Sequence, residues 1–163
     1  MRTLVLGMGN PILCDDAVGI RLARDLRNRL ETVPEAGPDV DFIDDCSVGG
    51  LNLLDLVIGY DRLVVFDSIR TSEATPGHWH EMTGETFRET MNLGCVHDAN
   101  FTTALELGRQ IGAYLPTRDN VHIFAVEIVD NTTFSESMTP ELEAAYNAFS
   151  TEIMHQALAL LRS

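Results

Sequence analysis

Short apolar runs alternating with amphipathic stretches predict an α/β fold. It is a three-layer sandwich, with a twisted, mostly parallel sheet of about five strands between helices on both faces. Two observations carry this. Four short runs carrying Val, Ile or Leu punctuate the chain, a fifth strand is read at Gly77 to Met82, and between several of them leucines recur every three or four residues. At 163 residues, positions 1–163 have the size of a single domain.

Each element has its own signal. Arg2 to Leu6 is an apolar run closed by Gly7-Met8-Gly9-Asn10-Pro11, a buried strand ending in a turn. Val18, Leu22, Leu26 and Leu30 then mark one face of a helix, with arginines on other faces. Asp15 or Asp16 is expected at its N-terminus, where a carboxylate satisfies open N–H groups. Residues 31–39 read as a loop through Pro34, Gly37 and Pro38, and Val40 to Ile43 as a second strand. Gly49-Gly50 precede a leucine-rich helix, Leu51 to Ile58. Leu63 to Phe66 is the most core-like strand and ends at Asp67; Gly77 to Met82 is a fourth. Phe101, Leu105, Gly108, Ile111 and Leu115 stripe a helix stopped by Pro116, and Val121 to Val129 is the last strand. The final helix has Thr139 as N-cap and Pro140 at its first position, with Leu142, Tyr146, Phe149, Ile153, Ala157 and Leu160 on one face.

Charge narrows the function classes. Twenty-five Asp and Glu oppose 11 basic residues, all of them Arg, for a net charge of -14. Such a surface repels phosphate backbones and anionic membranes, so neither nucleic acid nor membrane is an expected partner. No apolar run reaches the roughly 18 residues of a membrane span, and the run after Met1 is too short for a signal peptide. A cytoplasmic protein is expected. The three cysteines, Cys14, Cys46 and Cys95, form no CxxC motif and read as reduced thiols.

Gly7-Met8-Gly9 after a strand invites a dinucleotide-binding reading, which fails because position 12 is Ile and an acidic pair follows. No lysine exists to build a P-loop. Asp16 and Asp67 are the better candidates. In a parallel sheet both fall at the carboxyl edge of the strands, where ligands bind in such folds. His97, expected in a loop before the Phe101 helix, opens at the same edge. Two carboxylates and an imidazole make a site for a divalent metal with open positions. The same three residues would equally serve as a helix cap, a strand end and a solvated loop histidine. His78 and His80 share one face of a strand and are expected to be half-exposed edge residues rather than a metal pair. A Cys–His nucleophile is a minor reading, since nothing singles out one thiol.

The motif order is similar to a known family. Leu4-Val5-Leu6-Gly7-Met8-Gly9-Asn10-Pro11-Ile12-Leu13, followed by Asp15-Asp16-Ala17-Val18-Gly19, resembles the opening of the [NiFe]-hydrogenase maturation endopeptidases. Gly49-Gly50-Leu51, Asp67, His97, Val126-Glu127-Ile128 and Met138-Thr139-Pro140-Glu141-Leu142 continue it in order. The resemblance implies a protease, aspartic-type or nickel-assisted, that removes the C-terminal extension of the hydrogenase large-subunit precursor after nickel insertion. It implies Asp16, Asp67 and His97 as metal contacts, with Asp16 and Asp67 as catalytic groups; Gly9, Asn10, Asp44 and Gly49 are expected as substrate contacts. Nickel is then supplied by the substrate, with no tightly held intrinsic metal; the acidic surface fits a monomer. One segment departs from the family: Asp44-Asp45-Cys46-Ser47-Val48 stands where a glycine-rich stretch with Thr is common. Two alternatives are a peptidase with its own bound ion and a non-catalytic, nickel-dependent assembly factor.

Overall fold

The computed structural model describes residues 1–32, 39–71, 75–86 and 96–163, with 96–100 as backbone alone. Five strands form one sheet: β1 (Thr3–Met8), β2 (Val40–Cys46), β3 (Arg62–Ile69), β4 (Trp79–Thr83) and β5 (Val121–Glu127). Their spatial order is β2-β1-β3-β5-β4. All neighbours run parallel except β4, which is antiparallel to β5 at one edge.

Helices cover both faces. α1 (Val18–Thr32) and α4 (Pro140–Arg162) pack on one side, against Val5, Val64, Phe66, Phe124 and Val126. α2 (Leu51–Val57) and α3 (Val96–Gln110) pack on the other, against Leu4, Leu6, Leu63, Val65 and Ile123. The two-residue alternation along β3 therefore feeds both cores, which is why its run is continuously apolar. Phe66 and Phe124 stack on the α1 side with centroids 5.5 Å apart.

Two glycines set how closely α1 and the turn before it approach the end of β1. A Cβ at Gly19 would overlap the backbone carbonyls of Phe66 and Met8. Gly9, at φ +141°, passes so close to the Asp16 carbonyl that a Cβ there would overlap it.

The elements differ from the sequence reading in informative places. β1 runs on to Met8, β2 to Cys46 and β3 to Ile69, so Asp67 lies inside its strand rather than ending it. β2 continues through Asp44 to pair Cys46 with Met8 past a register irregularity, and Arg27 and Arg24 of α1 hold the Asp44 carboxylate at 3.1 and 3.6 Å. α3 begins at Val96, a turn earlier than its apolar stripe, so His97 belongs to a helix and not to a loop. It stops at Gln110, and Gly112 takes φ +78° beyond it, well before Pro116. Ile111 consequently leaves the stripe and is exposed. Most of the predicted 31–39 loop, and Cys95, lie outside the described residues. No helix of the described residues is long and apolar enough to cross a membrane.

Candidate active site

At the carboxyl edge of the parallel strands lies a cleft of about 310 Å³. The loop after β1 contributes Gly9, Asn10, Leu13 and Asp16; the loop after β2 contributes Val48, Gly49 and Gly50. Asp67, Ser68 and Arg70 enter from the end of β3, and Asn131 from the loop after β5.

Asp15 and Asp16 are adjacent but have opposite tasks. Both sit in the 3-10 turn Cys14–Ala17, ahead of α1 rather than capping it. Asp15 is completely buried. Its carboxylate accepts the N–H groups of Val129 and Asp130, both at 3.0 Å, and that of Thr139 at 2.7 Å. The Thr139 hydroxyl also donates to it, at 2.9 Å. Thr139 thus holds the N-cap position of α4 but turns its side chain to Asp15 instead of the helix. Asp15 is a structural clamp between the first loop and the last helix.

Asp16 faces the cleft. Its Oδ2 accepts the Asn10 N–H at 2.8 Å, and its Oδ1 accepts the Ser68 hydroxyl at 2.8 Å. Each carboxylate oxygen keeps a second lone pair for a ligand. The strand alternation of β3 sends Ser68 to the α1 side, beside Asp16, and Asp67 to the α2 and α3 side. The Asp67 carboxylate also accepts the Ser68 N–H at 2.8 Å. His97 lies in the first turn of α3, one turn ahead of Phe101, which lines the cleft; its side chain lies outside the described residues. Among the described residues no three metal-ligating side chains form a ready cluster.

The other candidates separate. Gly9, Asn10 and Gly49 line the cleft. The Asn10 side chain shapes the turn by accepting the Ile12 N–H at 3.2 Å. Asp44 does not line it; its carboxylate is drawn to the α1 side by Arg24 and Arg27. His80 bonds the buried Glu127 at 3.3 Å, and His78 packs edge-on against His80. Cys46 lines the cleft but is buried, and burial, with the charges of Asp67 and Asp45, pushes its thiol up. Burial and the carboxylates of Asp15 and Asp130 do the same at Cys14. Both environments disfavour a thiolate nucleophile. Ser68, Arg70 and Asn131 line the cleft without a motif of their own. The single legible hint is Ser68 directly after Asp67, which on a strand must take the opposite face.

The hydrogenase 2 maturation protease of Escherichia coli is 36% identical to this chain over 77 residues, 47% of this chain and 44% of that protein. The hydrogenase expression/formation protein HupD of Bradyrhizobium diazoefficiens is 38% identical over 68 residues, 42% of this chain and 33% of that protein. The matched segments thus span less than half the length of these curated relatives. The fold extends the likeness. The hydrogenase maturating endopeptidase HybD from E. coli superposes with a TM-score of 0.76 at 25% identity, covering 99% of this chain and 93% of HybD. In sequence and in fold the chain is similar to the hydrogenase maturation proteases. No protein-family model matches it. The hydrogenase maturation protease likeness covers the turn that carries Asp16, the strand that carries Asp67 and the helix that carries His97.

Proposed function

We propose that this protein is an endopeptidase that removes the C-terminal extension of a [NiFe]-hydrogenase large-subunit precursor after nickel insertion. The observation that carries the reading is the meeting of Asp16 and Asp67 in one cleft, on a fold similar over its whole length to HybD.

In this reading nickel is part of the substrate. Asp16, Asp67 and His97 reach the ion held by the folded precursor, a set of oxygen and nitrogen donors suited to a divalent metal. Contact with the ion fixes the neighbouring chain, so recognition becomes orientation of the scissile bond. Water is then activated by a carboxylate base or by the substrate's nickel as Lewis acid. The enzyme acts as a cytoplasmic monomer on this one partner, and Gly9, Asn10 and Gly49 bound the path of the peptide.

The deciding experiment is the intact mass of the precursor, nickel-loaded and nickel-free, after incubation with the protein. Loss of a C-terminal fragment from the loaded form alone is the expected result. Cutting of both forms keeps the protease and removes the nickel gate. A loaded precursor that binds but stays whole makes the protein an assembly factor.

A further inference from the structure

Arg70 stands apart from the paired arginines of the described residues. It follows β3 directly, is exposed, and lines the same cleft as Asp16 and Asp67. Its guanidinium has no hydrogen-bond or ion-pair partner among the described residues, whereas other arginines are engaged. Arg27 holds Asp44 at 3.1 Å, Arg21 holds Glu143 at 2.8 Å and Arg118 holds Glu106 at 2.6 Å.

The position matters because of the surrounding charge. The protein carries a net charge of -14, and the cleft contributes two of its carboxylates. An anionic peptide approaching such a surface is repelled. Arg70 is the local exception. Beside it, on the neighbouring strand's loop, Asn131 offers a neutral amide; β3 and β5 are paired there through Ile69 and Glu127. The opposite wall, Val48, Gly49 and Gly50, is uncharged. The cleft therefore has a direction, from the acidic floor toward one cationic end. Three residues of extended chain separate Asp67 from Arg70, about 10 Å at the usual strand rise. A peptide whose scissile bond sits at the carboxylates reaches Arg70 about three residues away.

We propose that Arg70 is a specificity-determining residue of this cleft, binding a carboxylate of the substrate segment that crosses Asp16 and Asp67. This rests on the endopeptidase reading above. The carboxylate has two sources, an acidic side chain of the extension or the extension's own C-terminus. A guanidinium fork suits either, because it pairs with both oxygens at once.

The test is steady-state cleavage of nickel-loaded precursor by wild type, R70A and R70E. R70A is expected to raise KM about tenfold, the weight of one charge-assisted contact, with kcat little changed. R70E is expected to be worse. Precursors with each acidic residue of the extension changed to Gln, or with glycines added at the terminus, identify the source: the right change erases the difference between wild type and R70A. If an acidic side chain is the source, its replacement by Arg restores cleavage by R70E. Equal KM for wild type and R70A on every precursor overturns the proposal and leaves the protease standing. Failure of wild type to cut any loaded precursor removes the protease reading and this inference with it.

Discussion

The Ser68 hydroxyl donates to Asp16 Oδ1 at 2.8 Å, joining the end of β3 to the turn before α1 across 52 positions of sequence. The contact aims one carboxylate of the cleft while the next residue back, Asp67, supplies the other.

Ser68→Ala removes that donor and leaves the fold intact, since Ser68 is only half-buried at a strand end. A hydrogen bond to a charged group is worth about 1.5–3 kcal/mol, so cleavage of loaded precursor is expected to slow about tenfold to a hundredfold. Initial rates, with thermal melting as the control, check it.

The two adjacent aspartates are expected to fail differently. Asp15→Ala strands the N–H groups of Val129, Asp130 and Thr139 and the Thr139 hydroxyl, and should cost about 3–5 kcal/mol in urea unfolding. Asp16→Asn should unfold close to wild type yet lose processing. A stable, inactive Asp15→Ala protein would reverse these assignments.

Gly19→Ala places a methyl group against two backbone carbonyls, those of Phe66 and Met8, which cannot swing aside as a side chain does. A destabilisation of about 1–3 kcal/mol is expected, as for overpacked cores. The urea midpoint measures it.

His122 sets a pH dependence. Burial, with help from the nearby Arg62 charge and against Glu81, lowers its pKa from the ordinary 6.5. The unfolded chain therefore binds the proton first as pH falls, and stability drops below about pH 6.5 until the folded imidazole also titrates. Above that pH the residue has no effect. His122→Gln should flatten the slope of unfolding free energy in this window, read from denaturant titrations at several pH values.

Much of this site is legible from topology alone. Strand ends in a parallel sheet share an edge, so Asp16 and Asp67 meet there despite their separation in sequence. What separates Asp15 from Asp16 is not legible, because it is decided by Thr139, 124 positions away. Asp44 is expected among the substrate contacts. It is captured instead by Arg24 and Arg27, which lie on the arginine-rich side of α1. Ser68 is nearly invisible in sequence, since a serine after an aspartate acquires meaning only through its partner. His97 moves from loop to helix because the turn containing it has too few apolar residues to announce itself.

The Asp15 clamp has a consequence for how the protein is made. All four of its hydrogen bonds from backbone N–H groups and the threonine hydroxyl come from residues 129 to 139, the nearest 114 positions downstream. A nascent chain can pair β1, β2 and β3 on the ribosome, and bring Ser68 to Asp16, while Asp15 still lacks every donor of its clamp. The first turn of the cleft is fastened last, when the segment leading into the final helix emerges.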